Sequence, residues 1–244
     1  MLETGMNELS HKYETIVEVL SLSLQSTDSV ESKQTLKMIE ALRQNIQIMY
    51  RLSSDVRSNK SLDIKVDEIS KIADYALNLL DEISLCYASK GMQEQMLELH
   101  RLSLPIANWL KVHNGKVKKL DIIVNAIASY ANTIQDKKQL EFLCELIKSV
   151  IDITDPSIKQ DLETTNPMRP WKILNLNWGI VATRTHNTGI MQQVFDQLIK
   201  NIPADTQQFF NEGLQQMDVI GYPEPVREIM KKYAGGFGVD GVLH

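Results

Sequence analysis

Apolar residues recur along this chain at steps of three and four. The longest run is Val66, Ile69, Ala73, Ala76, Leu80, Ile83 and Tyr87, which places one seam along a long helix. Comparable rows are Leu9, Tyr13, Ile16, Leu20; Leu36, Ile39, Ile46, Met49; Met92, Met96, Leu99; Val117, Leu120, Val124, Ile127, Ala131; and Leu140, Leu143, Ile147, Val150. No stretch alternates convincingly with period two, so the pattern predicts an all-α protein and argues against a nucleotide-binding parallel sheet. Breaks are expected at 26–28, 58–61, 90–91, 114–115, 136, 155–156, 166–170, 187–189, 202–203 and 221–225, where Gly, Pro, Asn, Asp and Ser collect. They divide the chain into about ten helices in antiparallel pairs that begin near residues 3, 62, 116, 170 and 203. The expected architecture is a curved, helical-repeat-like array or an irregular bundle.

Local signals refine this picture. Thr188 before Gly189, and Asp205 just after Pro203, read as cap or first-turn residues. Pro105 falls inside the Leu99–Leu110 pattern and should kink or end a helix there. Residues 1–234 are read as one all-α domain, with a candidate sub-boundary near 155–170. Gly235 to His244 reads as a flexible glycine-rich tail.

Charge and composition then limit the chemistry. A formal charge of -5 gives an averaged field that repels phosphate, so nucleic acid is disfavoured as a partner. Cys86 and Cys144 lie in separate helical patterns without CxxC spacing and read as core residues of a reducing compartment. The first residues lack a basic segment followed by an apolar one, and no run of about 18 apolar residues occurs. The expectation is a cytoplasmic protein with no membrane partner; self-association is left open.

Candidate motifs each meet a simpler reading. Gly236, Gly238 and Gly241 have GxGxxG spacing, but lack the strand before and the helix after that a phosphate site needs. Glu8 and His11 share a helical face, as in di-iron bundles, but there is no second copy of the pair, so no metal and no cofactor are expected. Glu94 and Glu98 share a face while His100 lies about 160 degrees from Glu94, which favours a solvated face over an acid–base set. Lys111, Lys116, Lys118 and Lys119, with His113, form the densest basic cluster, without interleaved aromatics. Asn59, Lys60 and Ser61 match a glycosylation acceptor that has no meaning without secretion.

The segment from Asn166 to His186 is the most unusual. Pro170 is placed to open a helix on which Trp171, Leu174, Trp178 and Val181 form one apolar row, widened by Ile173, Leu176 and Ile180, so this helix should be central. Asn177 falls in a row with Ile173, Ile180 and Arg184 and, if buried, needs a hydrogen-bond partner. Trp171, Leu174, Asn175 and Trp178 resemble the W-x2-L-G-x2-Y opening of the tetratricopeptide repeat family, with Asn for Gly and Trp for Tyr. The resemblance implies a right-handed stack of helix pairs whose concave side binds a peptide or protein segment.

The leading expectation is therefore a non-catalytic interaction, scaffold or adaptor protein. Asn175, Asn177, Trp178 and Arg184 would line its groove: Arg for carboxylates, Asn for peptide backbone, Trp for an apolar anchor. The alternative is a small-ligand-binding protein or enzyme with a cavity between helices, whose polar groups are His186, Arg184 and His113. The third is an RNA-associated helical repeat using Lys111 to Lys119.

Overall fold

A computed structural model describes residues 6–25, 29–57 and 64–236. Among these residues the chain forms twelve helices and no strand. They are α1 (Met6–Gln25), α2 (Val30–Arg57), α3 (Val66–Ser89), α4 (Gln93–Arg101), α5 (Ser103–Val112), α6 (Asp121–Thr133), α7 (Lys137–Ile153), the single turn α8 (Pro156–Lys159), α9 (Pro170–Thr185), α10 (Thr188–Asn201), α11 (Pro203–Ile220) and α12 (Glu224–Ala234). The breaks expected at 26–28 and 58–61, the Asn59 acceptor, and Gly238 and Gly241 with the rest of the tail after Gly236 lie outside the described residues.

The fold divides into two compact units: residues 1–126 with 153–155, and residues 127–152 with 156–244. The divisions fall inside α6, at the Asp152–Ile153 step where α7 ends, and at the Asp155–Pro156 step. In the first unit α1 packs on α2, α2 on α3, and α3 on both α4 and α5. The α3 seam is buried from Ile69 to Tyr87, while Val66 at its start is exposed. In α1 the core takes Leu9, Tyr13, Val17, Leu20 and Leu24; Val17 rather than Ile16 completes the buried row. Tyr13 donates its hydroxyl to the Ile39 carbonyl at 2.7 Å, and Tyr87 donates to the Ile16 carbonyl, so both buried phenols are satisfied.

Two local expectations are corrected. Val117 and Leu120 precede α6 instead of forming its first turns. Val117 makes an isolated parallel bridge with Thr154: its N–H donates to Ile153 and its carbonyl accepts from Asp155, both at 2.9 Å. Those long-range bonds satisfy the backbone that a helix would otherwise satisfy locally, so burial of Val117 alone mimicked the helical period. The interruption near Pro105 comes at Leu102, between α4 and α5, which puts Pro105 in the first turn of α5 where its missing N–H costs nothing. Trp109 then reaches the core and donates to the Met49 carbonyl at 3.2 Å and to Ser53 Oγ at 2.9 Å.

In the second unit α9 packs on α10, α10 on α11 and α12, and α11 on α12. Its core joins Phe195, Phe210 and Tyr233, whose centroids lie 5.0 to 5.4 Å apart. The N-cap of α10 is Asn187 rather than Thr188: its Oδ1 accepts from Gly189 N at 3.1 Å and Ile190 N at 3.2 Å. Gly221 ends α11 at φ 78, a left-handed cap that glycine adopts without a Cβ penalty.

A candidate binding cleft

The opening of α9 is tied down before any surface is built. Pro170 is its first residue, and Arg169 just before it is almost fully buried. The Arg169 guanidinium donates to both Asp161 oxygens, at 2.5 and 2.8 Å, and to Asp205 in the first turn of α11; Lys172 meets the same Asp205 at 2.7 Å. Burial raises the Asp205 carboxyl, but hydrogen bonds from Lys172 and Arg169 outweigh it and hold the group below its usual value. One buried cation thus joins the 160–169 loop, α9 and α11.

Further along, α9 is packed closely because position 179 is Gly. A Cβ there would lie 2.5 Å from Phe209 Cζ and 2.9 Å from Leu198 Cδ2. Phe209 and the C-terminal half of α11 border an open cleft of about 670 Å³ within the second unit. Ile180, Leu140, Phe209, Met217, Ile220 and Met230 supply its apolar lining. Ile180 and Ile220 remain 45% and 66% exposed, so the lining continues onto the surface.

The polar lining gathers where α9 ends. Arg184 donates to the Ala131 carbonyl, to the Ile134 carbonyl at 2.6 Å and to Gln135 Oε1 at 3.5 Å, satisfying carbonyls left open at the end of α6. Its hydrogen-bond partners among the described residues are neutral and do not offset its positive charge. Two residues on, His186 ends α9 in the left-handed conformation, φ 57, and its ring lies tilted against Tyr222 with centroids 5.1 Å apart. Its Nδ1 is buried without a hydrogen-bond partner. Burial, and then the charge of Lys137, lower the His186 pKa, keeping the ring neutral at pH 7. Burial raises the Tyr222 phenol despite the opposing charge of Arg184. Lys137, the first residue of α7, is exposed on the cleft, and among the described residues it has no salt-bridge partner.

The four residues expected to share one groove do not share one surface. Arg184 lines the cleft. Asn175 is fully buried: its Nδ2 donates to the Trp171 carbonyl and its Oδ1 accepts from Asn201 Nδ2, both at 2.8 Å. Trp178 is buried with its indole N–H unpaired, and Asn177 is half-buried with its Nδ2 unpaired. The apolar circumference of α9 gave no single outward face, so its polar residues were divided between the interior and the cleft. Lys137, Phe209, Met217, Tyr222 and Met230 were not singled out from the sequence. They come from α7, α11, the turn after α11, and α12, and the only local signal was the Gly221-Tyr222-Pro223 turn.

The other motifs have ordinary settings. His113, in the first unit, hydrogen-bonds the Trp109 carbonyl at 2.8 Å and does not line the cleft. His100 is buried; Ser84 donates to the Asp81 carbonyl at 2.7 Å, so its oxygen accepts from His100 Nε2 at 3.0 Å. Glu98 pairs with Arg101, and Glu8 with Lys12 at 2.6 Å. Lys119 is paired with Asp81 and Asp121, and Lys118 with Asp155, so much of the charge in the basic loop is matched locally. Cys144 is buried, which pushes its thiol up to about 12, with Glu145 and Glu141 adding to the effect. Among the described residues no group of three or more His, Cys, Asp or Glu is placed to hold a metal ion, and no helix is long and apolar enough to cross a membrane.

No protein-family profile, no curated protein and no solved structure matches the chain. The functional reading therefore rests on the chemistry of these residues.

Proposed function

We propose that this protein is a non-catalytic, cytoplasmic interaction module, a scaffold or adaptor, and that the cleft of the second unit takes a polypeptide segment of a partner. The observation that carries the reading is the continuity of apolar lining from the interior of the cleft to exposed Ile180 and Ile220. An apolar wall open to solvent is left unsatisfied by the chain's own folding, and covering it with partner side chains recovers about 25 cal/mol per Å² buried. Met217 and Met230 border the cleft while almost fully buried, so the open apolar wall is made by Ile180, Phe209 and Ile220. The resemblance of Trp171 to Trp178 to a tetratricopeptide opening points the same way, towards a peptide held among paired helices.

The test is a photo-crosslinking amino acid at position 180, introduced into the tagged protein in its own cells, followed by native mass spectrometry. The expected result is one stoichiometric polypeptide crosslinked through residue 180, whose copurification with the protein lacking the crosslinker is lost in Ile180→Arg. A second reading, a small amphipathic ligand, draws support from the cleft volume, which lies in the range of small-molecule sites, about 300–1,000 Å³. A reproducible small adduct with no crosslinked polypeptide refutes the first reading and selects the second.

A further inference from the structure

The charged side chains that line the cleft sum to the sign opposite to that of the chain. The whole sequence carries -5, yet the cleft presents Lys137 and Arg184 against the single carboxylate of Glu212, with His186 beside them. Of the nearby acids, Asp136 and Glu141 do not line the cleft. Glu212 accepts from Gln208 Nε2 at 2.7 Å along α11, Glu141 accepts from Asn187 Nδ2 at 3.0 Å, and Asp136 accepts from the Gln139 backbone N–H at 2.9 Å. The fold gathers the two cations and sets the neutral His186 ring beside them. Arg184 reaches the Ala131 and Ile134 carbonyls and so comes to the turn from which Lys137 starts α7, and the left-handed cap turns His186 into the same cleft.

Resting on the polypeptide reading above, we infer that the partner segment is acidic as well as apolar. A carboxylate meets Lys137 and Arg184 at the basic end, and adjoining apolar side chains lie against Ile180, Phe209 and Ile220. Charge complementarity of this kind sets orientation and selects among apolar segments that the walls alone would accept equally. Because Arg184 also closes the end of α6, Lys137 is the residue that reads the carboxylate with least structural duty. A glutamate at the first position of α7 also suits the positive end of the helix dipole, so reversing this charge leaves the helix intact.

The probe is a phage-displayed library of random dodecapeptides, selected on the full-length protein and in parallel on Lys137→Glu. Selected peptides are then synthesised and measured by fluorescence anisotropy. The wild type should enrich peptides with Asp or Glu beside Leu, Ile, Met or Phe. Those peptides should weaken about tenfold or more on Lys137→Glu, keep their affinity on Lys137→Arg, and lose it on Ile180→Arg. The Lys137→Glu selection should shift towards Lys and Arg. Peptides that are lost on Ile180→Arg but carry no acid, or that ignore Lys137→Glu, overturn the carboxylate inference and leave the groove reading in place. A selection that yields no peptide sensitive to Ile180→Arg overturns the groove reading and the inference with it.

Discussion

Removing the Arg169 side chain tests whether the second unit is held together at the point described. Arg169 is 3% exposed, and its partners Asp161 and Asp205 are 11% and 15% exposed, so Arg169→Met leaves two carboxylates in a poorly solvated setting. Breaking a buried pair by removing one partner costs about 3–5 kcal/mol. Lys172 stays on Asp205 at 2.7 Å and offsets part of this, which places the expected loss near the lower end, about 3 kcal/mol. With a urea m-value of about 2 kcal/mol per M, the unfolding midpoint should fall by about 1.5 M. Tryptophan fluorescence is a suitable readout, because Trp171 lies two residues from Arg169 and donates its indole N–H to the Asn201 carbonyl at 3.1 Å. A double-mutant cycle with Asp161→Asn should give a coupling energy of at least about 1 kcal/mol. A midpoint shift below about 0.3 M, or coupling near zero, would show that the cluster behaves as an exposed pair and would refute the argument. The pH response adds a check. The Asp205 pKa is depressed on folding, so its contribution is present above the unfolded value of about 3.9 and is lost as pH falls through the folded value. Arg169→Met should flatten that acid limb.

Three further outcomes are expected. His100 is buried neutral, and burial lowers its pKa despite the opposing charge of Asp81. The unfolded chain then binds the extra proton. Stability is full above about pH 6.5 and falls below it, by at most about 1.4 kcal/mol per pH unit for this one group, until the folded pKa is reached. Urea midpoints at pH 7.5 and 5.5 should therefore differ more in the wild type than in His100→Gln. Gly179→Ala places a methyl against Phe209 and Leu198, and an overpacking cost of about 1–3 kcal/mol should exceed the helix-propensity gain of about 1 kcal/mol, lowering Tm. An unchanged Tm would mean that Phe209 yields freely. Asn175→Ala should cost about 1–3 kcal/mol in chemical denaturation by stranding Asn201, with binding of any cleft peptide altered only through stability.

Much of the fold was legible because helical burial has a period that a sequence displays directly. The rows at Ile69–Tyr87 and Leu140–Val150 are the buried faces of α3 and α7. Stops such as Gly221, and starts such as Pro170 and Pro203, act through φ restraints that belong to the residue itself. Val117 shows where periodicity misleads: burial in a bridge and burial in a helix give the same apolar letter, and the difference lies in which distant carbonyl satisfies the backbone.

The cleft follows the same division. Arg184 and His186 stood out in the sequence because a cation and an imidazole close an unusually apolar helix. Whether Asn175 faced a partner or the interior depended on Asn201, twenty-six positions away, and whether Arg184 met α6 depended on how the chain returned after α8. Helix positions and apolar faces can be read along the chain, since both depend on residues within one or two turns. Which charges share a cleft cannot, because the juxtaposition of Lys137 with Arg184 and His186 is set by packing between segments that carry no local record of one another.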